Sequence, residues 1–306
     1  MSRLGDVVRG VRDGADILRR ARSPLEAAKA LVPASLLARR ILNGGDGAVT
    51  PRPAAEIAMA LRSMARRLEA EAIDERGRGV SYARLGRSPT FAALAETSQL
   101  LAALHLPELP RDGSARAFWI NLYNVLVIHG VVALAIERSV MEVPSFFATV
   151  AYRVGDLLFT PDEIENGILR CNAPHPATGM RPFAPHDPRL ALALPEVDAR
   201  IHAALVCAAR ACPPIAFYDG ERIDEQLALA ASTFVANDTE IDDAARAVRV
   251  SILYRYYARD FGGEAGVRQF LLAHAEGALR GALERAFQHR FALTHRRYDW
   301  TLNALA

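Results

Sequence analysis

Apolar residues recur along most of this chain at helical spacing. Leu4, Val7, Val8, Val11 and Leu18 fall on one face of the first segment, with Asp6, Arg9, Arg12, Asp13, Arg19 and Arg20 around them, which predicts an amphipathic helix. Ser23-Pro24-Leu25-Glu26 reads as a capping box with proline at the first helical position. Ile57, Leu61, Met64 and Leu68 predict a helix broken by Gly77-Arg78-Gly79. Phe91, Leu94, Leu101 and Leu104 predict another, capped at Ser88-Pro89 and ended by Pro107 to Gly113. The stretch from Ala117 to Ile136 is apolar on every face, interrupted by Asn121, Asn124 and His129, and predicts a central buried helix over 115–138.

Further along, Gly155-Asp156 between two apolar runs predicts a hairpin. Thr160-Pro161-Asp162-Glu163 is a second capping box, opening a short helix that ends near Arg170. Residues 171–189 read as a long loop rich in proline and histidine. Ile201 to Val206 predicts a short buried strand ended by Cys212-Pro213-Pro214. Helices are expected at 226–235, at 251–260 before Gly262-Gly263, and at 264–275; residues 291–303 favour β structure. The expected class is α+β: a predominantly helical single domain, residues 54–306, around a small, mainly antiparallel sheet. The linker is Asn43-Gly44-Gly45-Asp46-Gly47 with Thr50-Pro51-Arg52-Pro53, so residues 1–53 are expected as an accessory N-terminal helical region.

Composition adds limits. The net charge of +2 gives no global field for nucleic acid, and its basic side is arginine with a single lysine, Lys29. Residues 3–22 are expected to dock a partner or the domain itself. The alternative, an interfacial membrane helix, lacks a strong basic face and aromatic insertion residues. The helix at 117–136 is long enough to span a bilayer, but Asn121, Asn124 and His129 would each cost a few kcal/mol there, about as expected for polar groups in lipid. Three cysteines, Cys171, Cys207 and Cys212, are too few for a disulfide framework, and no signal peptide is visible, so a reducing, cytoplasmic setting is expected. No glycine-rich phosphate loop is present, so no nucleotide cofactor is expected.

Cys207 is the candidate nucleophile, because it follows an apolar run and precedes small residues that could expose a thiol. A nucleophilic cysteine needs a base, and the base an orienting group. His202 shares the motif, but alternates to the opposite face on a strand and lies about 140° away on a helix. A base from elsewhere, His129, His175 or His186, with Glu165 as orienter, therefore fits better. The alternatives are a buried structural cysteine, a Cys207–Cys212 redox pair without the usual Cys-x-x-Cys spacing, and a zinc site from Cys171, His175, His186 and Cys207 without compact ligand pairs.

Phe118-Trp119-Ile120-Asn121-Leu122-Tyr123-Asn124, ending in Ile128-His129-Gly130, resembles the hallmark of the family known as domain of unknown function 547. Phe159 to Arg170 is similar to that family's acidic helix, and Ile201 to Pro214 to its cysteine motif. Tyr254 to Gly262 and Tyr298 to Asn303 resemble its last two blocks, so the similarity runs from about residue 80 to 303. The family often has glycine after the first cysteine and serine before the second, where Ala208 and Ala211 stand here. The resemblance implies no reaction. The functional expectation is a cysteine-dependent hydrolase or acyl transferase of papain-like or transglutaminase-like logic acting on a peptide or amide bond. Its catalytic candidates are Cys207, His202, His129 and Glu165, supported by Asn121, Asn124, Arg170 and Asp299. The alternative is a non-catalytic interaction module whose polar motifs hold an irregular fold together.

Overall fold

Two small sheets, rather than one, are wrapped by helices. The computed structural model describes residues 38–45, 50, 52–109 and 112–305, so the helix expected over 3–22 and the capping box at Ser23–Glu26 lie outside the described residues. In the first sheet β1 (Arg40–Ile41) pairs parallel with β2 (Val150–Val154), which pairs antiparallel with β3 (Leu157–Phe159). In the second, β4 (Glu240–Asp242) pairs antiparallel with β5 (Ala247–Ser251), and β5 parallel with β6 (Ala292–Arg296). Both sheets are thus mixed. The β2–β3 hairpin turns at Gly155, whose φ of +56° is the left-handed region open to glycine. Residues 40–43 join the domain ahead of the glycine-rich stretch. Asn43 donates to the carbonyls of Ser98 and Arg153 and accepts from the Arg153 N–H.

The helices are α1 (Ala54–Ala72), α2 (Tyr82–Leu85), α3 (Pro89–Gln99), α4 (Gly113–Ala133), α5 (Phe146–Thr149), α6 (Ile223–Asp238), α7 (Leu253–Tyr256), α8 (Gly263–His274) and α9 (Gly277–Gln288). The helix expected over 251–260 is only one turn long, and α9 was not foreseen. Helix α4 is the expected rod. Its side chains are buried without a break from Ala117 to Val131. It is the one helix among the described residues long and apolar enough to cross a membrane, and 89% of its apolar window is buried inside the protein. It ends at Ala133 instead of Arg138, because the Ile136 N–H bonds to the Val131 carbonyl and the Ala135 N–H to Val132. That is a Schellman closure with alanine, φ 49°, where glycine is usual, so the sequence carried no stop signal.

The stretch read as a strand, Ile201 to Val206, is not one. Asp198 accepts the Arg200 N–H and caps a 3-10 turn at Ala199–Ala203, and the chain then runs on irregularly. A strand would need a partner for its backbone groups. Here the Asn124 side chain takes that part, accepting the Val206 N–H at 3.0 Å and donating to the carbonyls of Ala204 at 3.0 Å and Ala216 at 3.3 Å. Asn121 likewise closes a pair of bonds with the backbone of Tyr218. The polar sector of α4 therefore fastens both ends of the cysteine-bearing segment.

His129, the third polar group of α4, points elsewhere. Its Nδ1 lies 2.7 Å from the Tyr152 hydroxyl, and Phe91 packs edge-on against the ring. Burial lowers its pKa to about 4. The imidazole is therefore neutral at pH 7, and its Nδ1 shares a hydrogen bond with the Tyr152 hydroxyl. A depressed folded-state pKa stabilises the fold fully above the ordinary value of 6.5 and loses that stabilisation as pH falls towards 4. The shift corresponds to about 3 kcal/mol. Urea midpoints between pH 7 and pH 4.5 should accordingly fall more steeply for the wild type than for His129→Phe, which has nothing to protonate.

Candidate functional site

The cysteine segment leaves its two sulfurs together. After Val206, Ala208 takes φ 63° and a turn closes with the Cys212 N–H on the Ala209 carbonyl, which brings Cys212 back beneath Cys207. Ala208 is in the left-handed region, at a cost of about 1 kcal/mol for a residue with a Cβ. Glycine would adopt it freely. A second segment lies alongside. Ala209 bridges to Leu302, Arg210 N–H bonds to Thr301, Ala211 N–H to Asp299, and Asn303 N–H to Ala208. This pairing sets the Tyr298 side chain over the sulfurs.

Cys207 Sγ is 2.6 Å from Cys212 Sγ and 2.9 Å from the Tyr298 hydroxyl, which is 3.3 Å from Cys212 Sγ. The N–H groups of Cys207 and Ala209 also point at Cys212 Sγ, at 3.1 and 3.4 Å. Cys212 is buried and Cys207 half-buried. The two thiols are pushed apart in acidity. Burial opposes ionisation of Cys212, but hydrogen bonds from Cys207, Tyr298 and the two backbone N–H groups outweigh it and lower its pKa. Burial and the neighbouring Cys212 push Cys207 well up. Burial, then both sulfurs, push the Tyr298 hydroxyl up, so it keeps its proton and donates.

Among the described residues, no histidine is a hydrogen-bond partner of either sulfur. His129 is occupied by Tyr152, and His186 is exposed. His175 accepts from the N–H groups of Ala177 and Thr178, with Asp162 at 3.8 Å. His202 belongs to a second buried cluster. Its Nε2 donates to Asp260 at 2.9 Å, and its ring stacks on Tyr257 at 3.9 Å. Arg170 grips the same carboxylate through Nε and Nη2 and donates through Nη1 to Asn166 and to the Pro174 carbonyl. Glu165 helps to raise the pKa of the Tyr257 hydroxyl, and its charge also acts on His175. Asp299 is exposed and accepts the Thr301 N–H. The candidate residues thus separate into a thiol cluster and an ion-pair cluster. Burial, and then the charges of Glu165 and Cys207, push the pKa of the buried Tyr123 hydroxyl well up.

The ion-pair cluster depends on local backbone geometry. Thr160 and Glu163 form the expected capping box, each side chain bonding the other's N–H. Glu163–Leu169 then winds as a π-helix, with the Arg170 N–H on the Glu165 carbonyl and Asn172 on Gly167. The wider turn permits Gly167 to take the Phe183 ring, which would lie 2.3 Å from a Cβ there. Asp162, at the start of this helix, has its pKa raised to about 7 by burial and then by Glu163. Among the described residues no group of three or more His, Cys, Asp or Glu side chains is placed to hold a metal ion.

Residues 108–235 match the family model described as protein of unknown function, DUF547. The chain resembles that family over this stretch, which holds α4, the π-helix and both sulfurs. No curated protein and no solved structure matches the chain. The similarity read from residue 80 to 303 is thus matched over its middle part. Asp260, Tyr257 and Tyr298 lie beyond it. Sequence reasoning quoted the blocks that contain these three but gave none of them a role. The signal available was only their type: a phenol and a carboxylate in short polar-aromatic runs.

Proposed function

We propose that this chain is a cysteine-dependent acyl transferase or hydrolase acting on a peptide or amide bond, with Cys207 as the attacking sulfur. One observation carries the reading: a half-buried cysteine whose sulfur lies 2.6 Å from a second, buried sulfur. Papain-like logic asks for a base beside the nucleophile, and here the Cys212 thiolate fills that place instead of a histidine. Cys207 gives its proton to Cys212 as its sulfur bonds the carbonyl carbon. The leaving amine departs with that proton, and water then cleaves the thioester. The Tyr298 hydroxyl donates to whichever sulfur carries charge.

The test uses the full chain and p-nitrophenyl acetate. Wild type should release a burst of nitrophenol and carry one acetyl group on Cys207 by peptide mass, and Cys207→Ser should show neither. Tyr298→Phe should move the pH profile of thiol alkylation upward, because a donor to the thiolate is gone. A wild-type protein that acquires no acetyl group, and reacts with iodoacetamide only after unfolding, would overturn the proposal. It would favour an interaction module whose polar motifs serve the fold.

A further inference from the structure

We infer that Cys207 and Cys212 are also a redox-active dithiol, which exchanges with low-molecular-weight disulfides to form a reversible intramolecular bridge. Three observations meet here. The sulfurs need to close by only about half an ångström to reach disulfide bonding distance, about 2.05 Å. They differ in access, Cys207 half-buried and Cys212 buried, which divides the roles of attacking and resolving sulfur. The segment between them is a turn with Ala208 in the left-handed region and the Cys212 N–H tied back to Ala209, so its ends stay together without help from a sulfur–sulfur bond. The four residues between the cysteines replace the two of the usual redox motif, and the turn compensates for the extra length.

Cys207 releases its proton to solvent and attacks one sulfur of the external disulfide. A mixed disulfide forms on Cys207, and the first external thiolate leaves and takes up a proton. Cys212 then attacks Cys207 Sγ and expels the second thiolate, which is protonated in turn. The two cysteines lose two electrons, and the external disulfide gains them as two thiols. Attack by the buried Cys212 on the external disulfide is blocked by Cys207, Tyr298 and the backbone N–H groups around it. The inference does not require acyl transfer, because the same sulfurs here react with sulfur rather than carbon.

The experiment equilibrates the full chain in buffers of oxidised and reduced glutathione, then alkylates it in denaturant and maps peptides by mass. In wild type, oxidising buffer should remove two hydrogen masses and protect Cys207 and Cys212 together, while Cys171 stays alkylatable. Excess reduced glutathione should restore both. Cys212→Ser should instead hold glutathione on Cys207, at a level at least about tenfold above wild type because the resolving sulfur is missing. Cys207→Ser should stay almost unmodified. If both cysteines of wild type remain alkylatable at every glutathione ratio, or protection pairs either with Cys171, the inference fails. Since the wild-type measurement decides it, a variant that fails to fold does not rescue it. A bridge without acetylation would remove the acyl-transfer reading alone, and acetylation without a bridge the redox reading alone.

Discussion

Asp260→Ala should destabilise the folded protein by about 3–5 kcal/mol in urea denaturation, the cost of leaving a buried charge unpaired. The Arg170 and Asp260 side chains are each 3% exposed. Arg170 also bonds Asn166 and Pro174, but these are neutral groups and cannot balance its charge. The same substitution releases His202, whose Nε2 donates to Asp260, and loosens its stack on Tyr257. Three separate pieces of chain meet at this carboxylate: the π-helix end, the turn before the cysteines and the segment after α7. The pH dependence gives a second reading of the same contact. Burial works against ionisation of Asp260, yet hydrogen bonds from His202 and Arg170 bring its pKa down to about 2. A depressed carboxyl pKa stabilises the fold above the ordinary value of 3.8 and ceases to do so as pH falls towards 2. Wild type should lose stability in that acid window, below the range in which His129 titrates, and Asp260→Ala should not show this loss. An alanine variant within about 1 kcal/mol of wild type would mean that water reaches Arg170 and replaces the carboxylate.

Asn124→Ala should cost a comparable amount, about 3–5 kcal/mol, by a different route. Asn124 is fully buried, and its amide serves one N–H and two carbonyls. Each buried backbone group left without a partner costs about 1–3 kcal/mol. Alanine satisfies none of them and leaves a small void as well. Aspartate, which can still accept the Val206 N–H, should not rescue the fold, because it has no donor for Ala204 and Ala216 and would bring a charge into the core. The measurement is again a urea midpoint, joined here to iodoacetamide reactivity of Cys207 below that midpoint. Reactivity should rise in whatever fraction stays folded, since Val206 is the residue before the cysteine. Wild-type stability in Asn124→Ala would show that the cysteine segment is held by its partner around Leu302 alone.

The helical part of the fold was legible because its signals are local. Leu61, Met64 and Leu68 are buried as their spacing predicts, and the box at Thr160 and Glu163 closes as written. The misread elements depend on groups far away in sequence. Ile201 to Val206 looks like a strand by composition, but its backbone is satisfied by an amide some eighty residues earlier. Helix α4 stops where Ala135 adopts a conformation that its residue type does not announce. The same split runs through the site. Cys207 could be nominated from its own motif. Its real neighbours, Cys212 and Tyr298, could not be ranked, because the turn at Ala208 and the pairing with Thr301 and Asp299 leave no periodic trace. A general chemical rule asks for a histidine base beside Cys207, but packing gives His202 to Asp260 and His129 to Tyr152.

The strip of chain that carries Tyr298 has a consequence for how the molecule is made. Tyr298 lies 91 residues after Cys207, and the same strip bonds Val80 through Asn303 and Leu305, with more than 200 residues of chain between. Contacts so distant in sequence close late, because the entropy of the intervening loop must be paid before they form. On a growing polypeptide, made from its N-terminus, both sulfurs emerge with the helices around them well before their phenol exists. During that interval the thiols have no hydroxyl above them and are open to whatever oxidant is at hand. The contact of Tyr298 with the two sulfurs is thus made only once the last part of the chain has been added.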